Sequence, residues 1–145
     1  VFREVLRLYP PITFIHRVAA EATSIAGRKV KRGAMIMVAP WTIHRNPTLW
    51  RDADRFDPDR FMPGRDTETR PGSYIPFGLG PRICVGAAFA MIESALILAR
   101  LARRYDLTPV DPGAVRPVAR LTTRPAREIM CRVRRRPAAD GACAA

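Results

Sequence analysis

The segment Phe77–Gly86, with the sequence FGLGPRICVG, places one cysteine and three glycines within ten residues. A long apolar stretch follows, and its composition and spacing predict a buried helix from about Ala87 to Arg104. Glycine has no Cβ atom, so the backbone of such a loop can approach a flat, bulky ligand. Cys84 lies just before the helix, where free N–H groups and the positive end of the helix dipole stabilise a thiolate. The whole pattern indicates a thiolate that binds a metal cofactor, whereas a cysteine alone would more simply be structural.

The composition is typical of one folded domain with a basic surface. The chain has 145 residues, 48% of them hydrophobic, and its 25 Lys and Arg against 13 Asp and Glu give a net charge of +12. Three cysteines without a close pair argue against a disulfide framework and favour a reducing cytoplasm. No apolar run is long enough for a membrane span. The chain begins at Val1, inside a predicted helix, and we therefore expect it to be a segment of a longer protein.

The periodicity predicts an α+β chain, mainly helical, with small β-sheets. A helix over Val1–Tyr9 ends at two prolines. A hairpin joins Ser24–Val30 to Ala34–Val38 through a turn at residues 31–33, and a short helix follows over Thr42–Arg45. Further strands are predicted over residues 105–110, 119–123 and 128–133, and a disordered tail over 137–145.

Residues 46–73 are rich in Asp, Arg, Pro and Gly and predict an ordered loop held by Trp50, Phe56 and Phe61. Before this loop, Glu4 and Arg7 stand three apart on the first predicted helix, so their side chains can meet. Taken alone, such a pair is usually an exposed ion pair of little energetic value.

The pattern Phe-x-x-Gly-x-Arg-x-Cys-x-Gly resembles the haem-binding signature of the cytochrome P-450 family. The resemblance implies that Cys84 is the catalytic thiolate and the axial ligand of the iron in haem b, iron protoporphyrin IX. It further implies that Arg82 contacts a haem propionate and that the cofactor site includes Phe77, Gly78 and Gly86. A thiolate ligand pushes electron density onto the iron and favours O–O bond cleavage.

Two other motifs support the resemblance. Glu4-Val5-Leu6-Arg7, followed by Pro10-Pro11, resembles the family's Glu-x-x-Arg motif on its K helix. The family completes this buried pair with an arginine from a Phe-x-Pro-(Glu/Asp)-Arg-Phe segment, which implies a structural triad of Glu4, Arg7 and Arg60. Ala53 replaces the proline usual upstream of that segment. Arg17 stands where the family carries a second arginine to a haem propionate, and Thr13, Phe14 and Ile15 stand where it lines the substrate pocket.

The resemblance therefore implies the C-terminal, haem-proximal part of the cytochrome P-450 fold. Residues 1–136 would be one portion of a single domain, containing the K helix, hairpin, meander loop, cysteine loop, L helix and C-terminal strands. The parent would be a monooxygenase that inserts one oxygen atom of O₂ into a small organic substrate. Its electrons would come from NAD(P)H through an acidic redox partner, such as a ferredoxin, a flavodoxin or a reductase. We expect the segment alone to be inactive, since the oxygen-activating helix lies elsewhere.

Two alternatives remain at this point. The net charge suits a basic, non-catalytic module that binds an acidic protein or nucleic acid, although no dense arginine stripe with interleaved aromatics favours nucleic acid. A cysteine-nucleophile enzyme lacks a histidine at a recognisable supporting position. His16 and His44 are expected to be surface or hydrogen-bonded residues, and Cys131 and Cys143 to have no role.

Overall fold

A computed structural model of the protein describes residues 1–65, 69–111, 113–120 and 122–137. Apart from Pro137, the predicted disordered tail and Cys143 lie outside these residues. The helices are α1 (Phe2–Leu8), α2 (Pro40–Ile43) and α3 (Ala87–Arg104), with 3₁₀ turns at Pro58–Phe61 and Gly80–Arg82. The strands are β1 (Ile15–Val18), β2 (Thr23–Ile25), β3 (Arg28–Val30), β4 (Met35–Val38), β5 (Tyr105–Pro109), β6 (Pro117–Ala119), β7 (Thr123–Pro125) and β8 (Cys131–Arg135).

Within the described residues, the strands form four antiparallel two-stranded sheets, which pair β1 with β4, β2 with β3, β5 with β8 and β6 with β7. The predicted α+β class, with helices and small sheets, is confirmed. Among the described residues, no helix is both long and apolar enough to cross a membrane.

The predicted hairpin with its turn at residues 31–33 is wrong. The chain reverses earlier, at Ala26 and Gly27, whose φ angles of 48° and 76° match the left-handed conformation of a two-residue hairpin turn. β3 therefore pairs with β2, and the bend at Gly33 returns the chain to β1. There Gly33 N–H donates to the Ala19 carbonyl at 2.8 Å, and β4 pairs with β1.

The C-terminal strands also differ from the prediction. The single strand predicted over residues 119–123 is wrong, because Ala119 ends β6 and Thr123 begins β7. β7 is attached to the prolines after α1, because Thr123 N–H and Oγ1 donate to the carbonyls of Pro11 and Pro10 at 2.8 and 2.6 Å. Likewise α2 begins two residues before the prediction, with Pro40 in its first turn, a position that proline favours.

α1 and the loop over residues 46–73 enclose a small core. Leu6, Leu8, Trp50 and Ile75 are buried in it, and the indole of Trp50 packs against the ring of Phe61 with centroids 6.2 Å apart. The third predicted aromatic of this loop, Phe56, is 48% exposed, so it does not hold the loop. Several of the most deeply buried side chains are polar or charged, among them those of Glu4, Arg7 and His44.

α3 has the predicted bounds, but the prediction that it is buried is wrong for the described chain. None of its residues is buried against the described part of the protein. Phe89, Ile92 and Leu96, which lie along one stripe of the helix, are 64–68% exposed. An apolar helix is buried only where another layer of structure packs on it, and the described residues do not supply that layer.

Candidate cofactor site

A cleft of about 580 Å³ lies between β1 and the cysteine loop, the name used here for residues 77–86. Apolar side chains form much of its wall, while a thiol and two guanidinium groups supply its ionisable chemistry. The lining residues are Pro11, Ile12, Ile15, His16, Arg17, Val18, Pro76, Phe77, Gly78, Arg82 and Cys84. Cys84, Arg82, Phe77 and Gly78 of the cysteine loop thus share one cavity with Arg17, which the sequence analysis identified in a separate segment.

The backbone of the cysteine loop is folded back on itself. Cys84 N–H donates to the Phe77 carbonyl at 2.9 Å, which closes the loop across its two ends. Gly78 and Gly80 have φ angles of 79° and 74°, in the region that side chains other than glycine rarely adopt. The loop therefore depends on glycine at both positions, and it presents an exposed Cys84 side chain to the cleft.

Gly86 is the N-cap residue of α3 and lies beside the sulfur of Cys84. A Cβ atom built on Gly86 would stand 3.8 Å from Cys84 Sγ, an ordinary contact that would nevertheless occupy one side of the sulfur. The Cys84 carbonyl accepts the Ala87 N–H at 3.2 Å, so the thiol is held just before the first turn of the helix. Its position suits a thiolate, because unpaired N–H groups and the helix dipole favour negative charge there.

The residues of the cleft fit haem. Cys84 offers one soft ligand for iron, Ile15 and Phe77 offer apolar contacts for the macrocycle, and Arg17 and Arg82 offer cations for its two carboxylates. Arg17 Nη1 also donates to the His16 carbonyl at 2.9 Å, at an exposed position. Within the described ranges, no group of three or more His, Cys, Asp or Glu residues is arranged to hold a metal ion.

A buried charge network centred on Arg7 lies outside the cleft. Arg7 Nε and Nη2 donate to the two carboxylate oxygens of Glu4, each at 2.8 Å. The remaining N–H groups donate to the carbonyls of His44, Ala53 and Arg55, at 2.7, 2.6 and 3.0 Å. All five donors of the guanidinium are therefore used.

The carboxylate of Glu4 accepts four hydrogen bonds. Besides the two bonds from Arg7, its Oε1 accepts Asp57 N–H at 2.9 Å and Arg60 Nε at 3.4 Å. Arg60 in turn donates from Nη2 to the Asp52 carbonyl at 2.8 Å. The structure thus brings Glu4, Arg7 and Arg60 together, outside the cleft, where they join α1 to the loop over residues 46–73.

The sequence analysis expected His44 to be a surface or hydrogen-bonded residue, and in the structure it is hydrogen-bonded but does not line the cleft. It is fully buried, its Nε2 accepts Ile75 N–H at 2.9 Å, and its Nδ1 lies 3.1 Å from the Arg7 carbonyl. Because Nε2 accepts, Nδ1 must carry the proton and donate, which fixes one neutral tautomer. Burial, with a smaller contribution from the Arg7 charge, lowers the pKa of His44 to about 4. No sequence spacing signals these partners, since both are backbone groups.

The aromatic ring of Tyr74 packs against the imidazole of His44. Its ring stacks on His44 with centroids 5.5 Å apart, and its hydroxyl donates to the Arg3 carbonyl at 3.0 Å. Burial raises the pKa of Tyr74 to about 12, so the phenol remains a donor at neutral pH.

Several nominated residues lie apart from this site. Thr13 and Phe14 line a separate cavity of about 200 Å³, and only Ile15 of that segment reaches the cofactor cleft. Cys131 is an exposed residue of β8 and does not line the cleft. His16 is exposed and lies at the cleft wall.

Comparison with known proteins gives a consistent result. A family model described as Cytochrome P450 matches residues 1–132. Cyclooctatin synthase from Streptomyces melanosporofaciens is 41% identical over 117 residues, which are 81% of this chain and 26% of that protein. Cyclooctat-9-en-7-ol 5-monooxygenase from the same organism is 44% identical over 113 residues, 78% of this chain and 24% of that protein. The chain spans about a quarter of the length of these curated relatives.

A solved structure supports the same relationship. The crystal structure of the cytochrome P450DA haem domain has a TM-score of 0.85 and 29% sequence identity to this protein. The match covers 93% of this chain and 30% of that chain.

Proposed function

This chain belongs to the cytochrome P450 family, and we propose that it is the cysteine-bearing, C-terminal part of a haem-thiolate monooxygenase. The observation that carries the proposal is the convergence of Cys84, Arg82 and Arg17 on one largely apolar cleft. A thiol, two guanidiniums and apolar walls match the iron, the two carboxylates and the macrocycle of haem b. Residues 1–136 then form one portion of a single domain.

Each residue has a distinct part in this proposal. Cys84, held just before the first turn of α3, supplies the thiolate ligand. Arg17 and Arg82 pair with the propionates, while Phe77, Gly78 and Gly86 shape the surface that faces the macrocycle. The buried ion pairs of Glu4, Arg7 and Arg60 attach the loop over residues 46–73 to α1, so their role is structural. When bound, the haem supplies the oxygen-activating chemistry, which the thiolate favours by donating electron density.

For the whole protein we propose the insertion of one oxygen atom of O₂ into a small organic substrate. The electrons would come from NAD(P)H through a redox partner, and the basic surface suits an acidic one, such as a ferredoxin or flavodoxin. A related protein is named as a 5-monooxygenase of cyclooctat-9-en-7-ol, which agrees with this reaction class. A reducing cytoplasm would keep Cys84 free to bind iron.

A second candidate is a basic binding module. A groove of about 950 Å³ beside the C-terminal half of α3 is lined by Arg100, Arg103, Arg104, Arg135 and Arg136. Such a surface attracts polyanions, and binding would weaken steeply with salt. Salt-dependent binding of duplex DNA that survives Cys84→Ser would favour this candidate over the monooxygenase.

The test is the absorption spectrum of the full-length protein that carries this chain, reduced and exposed to CO. The wild type should show the red-shifted Soret band of thiolate-bound haem iron, and Cys84→Ser should lose that band. Cys131→Ser is the matched control and should keep it, because Cys131 lies on β8 away from the cleft. A wild type that takes up haem without the shifted band would contradict the proposal.

A further inference from the structure

We propose that His44 is a positioning residue for Cys84, because its ring joins the buried charge network to the start of the cysteine loop. The inference rests on the proposed function, since it concerns how the thiolate ligand is held. His44 does not line the cleft and is fully buried. It therefore acts on Cys84 through the backbone that connects them.

The first step of this connection is a reciprocal pair of bonds between His44 and Arg7. Arg7 Nη1 donates to the His44 carbonyl at 2.7 Å, and His44 Nδ1 donates to the Arg7 carbonyl at 3.1 Å. The Arg7 carbonyl belongs to the last turn of α1, where carbonyls have no partner within the helix. The imidazole is thus fixed to the part of the molecule that Glu4 and Arg7 hold together.

The second step runs from the imidazole to the loop. Ile75 N–H donates to His44 Nε2 at 2.9 Å, and the Ile75 carbonyl accepts Gly78 N–H at 3.1 Å. Phe77, between these two residues, accepts Cys84 N–H at 2.9 Å. A short series of backbone bonds therefore links the imidazole to the residue that carries the sulfur.

The chemistry of the position explains why histidine suits it. The site demands a donor on one side of the side chain and an acceptor on the other, in a buried position beside the Arg7 guanidinium that disfavours a positive charge on the side chain. Neutral imidazole meets both demands with one rigid ring. Loss of the acceptor leaves Ile75 N–H buried without a partner, since Ile75 is only 6% exposed, and the loop must shift to satisfy it.

Two substitutions separate the two bonds. His44→Gln places an amide oxygen near the position of Nε2 and keeps an acceptor for Ile75 N–H, whereas His44→Asn keeps a donor near Nδ1 and loses that acceptor. Both remove the ring and its stacking on Tyr74. A thiolate band that weakens in His44→Asn and not in His44→Gln therefore reports the bond to Ile75, because the bond to the Arg7 carbonyl is the one lost in His44→Gln.

The readout is the ratio of thiolate-bound to thiol-bound haem in the reduced CO complex of the full-length protein. His44→Gln should stay close to the wild type, and His44→Asn should shift the ratio by about tenfold toward the thiol form, the effect of one orphaned buried N–H. Equal ratios in the two variants would overturn the inference. If His44→Asn yields no haem-loaded protein, that failure beside a haem-loaded His44→Gln with its thiolate band supports the role of the bond to Ile75, and a lost band in His44→Gln contradicts it. A wild type without the thiolate band would instead refute the proposed function.

Discussion

The buried charges of Glu4 and Arg7 are stable because every polar atom of their side chains has a partner. The guanidinium uses five donors, and the carboxylate accepts four hydrogen bonds. Such saturation is what a buried ion pair needs to offset the cost of leaving water. The same completeness makes the network vulnerable, because any single truncation leaves a charge or a donor without its partner.

Replacing Glu4 by glutamine should lower the free energy of unfolding by about 3–5 kcal/mol, since Arg7 and Arg60 would remain buried without a counter-charge. Urea unfolding of the full-length protein would measure the change. Glu21→Gln is the control, because Glu21 is exposed, and it should stay within about 0.5 kcal/mol of the wild type. A Glu4→Gln effect as small as that of the control would show that the charge of Glu4 is dispensable.

His44 should make stability depend on pH below neutrality. Its pKa falls from 6.5 in the unfolded chain to about 4 in the folded one, so the unfolded state takes up the proton first as pH falls. The stabilisation is therefore complete above pH 6.5 and is lost toward pH 4, by at most about 3 kcal/mol. Unfolding free energies across this range should decline more steeply for the wild type than for His44→Gln. Parallel profiles would contradict the prediction.

At the level of secondary-structure elements, the strongest sequence patterns predicted the structure best. The helix of α3 has the predicted bounds because eighteen residues of helix-forming composition lie between a glycine cap and a strand. The pairing of β4 was missed because the turn at Ala26 and Gly27 lacks the usual Asn-Gly signal. A three-residue segment containing Gly33 offered a stronger turn pattern, yet it serves only to return the chain to β1.

The turn between β2 and β3 offers a direct test, since Ala26 has a φ of 48° that costs an alanine free energy. Ala26→Asn should raise the free energy of unfolding by about 0.5–1 kcal/mol, because asparagine tolerates this conformation. Gly27→Ala should lower it by about 1–2 kcal/mol through the backbone alone, as nothing lies within 4 Å of an added Cβ. Thermal unfolding of the two variants measures both effects, and shifts of the same sign would be inconsistent with the turn conformation.

At the scale of the whole molecule, the sequence identified residues that share the cleft, but it did not predict the partners of His44 or the exposure of α3. Cys84, Arg82 and Arg17 were identified from local motifs and do meet in one cleft. His44 was expected to be a surface or hydrogen-bonded residue, but its partners could not be predicted, because the backbone groups of Arg7 and Ile75 come together only in the fold. The burial of α3 was predicted from its composition, yet burial also depends on neighbours that lie far away in sequence.

The exposed stripe of α3 leads to the last prediction. Leu96 is 66% exposed, and the residues that match this chain make up only 26% and 24% of the two curated relatives. We expect the rest of the full-length protein to cover the stripe, because so much adjacent apolar surface is unfavourable in water. Leu96→Ala in the full-length protein should then cost about 2–5 kcal/mol of unfolding free energy, the range for a core leucine.

Arg103→Ala, on the same helix, supplies the comparison for Leu96→Ala. It removes an exposed polar side chain near the C-terminus of α3 and should cost under about 1 kcal/mol, mainly through its interaction with the helix dipole. Urea unfolding monitored through the haem absorption would report both variants under identical conditions. Equal costs for the two substitutions would mean that the stripe faces water in the complete protein. A large cost confined to Leu96 would mean that the remainder of the fold packs against α3, the helix that directly follows Cys84.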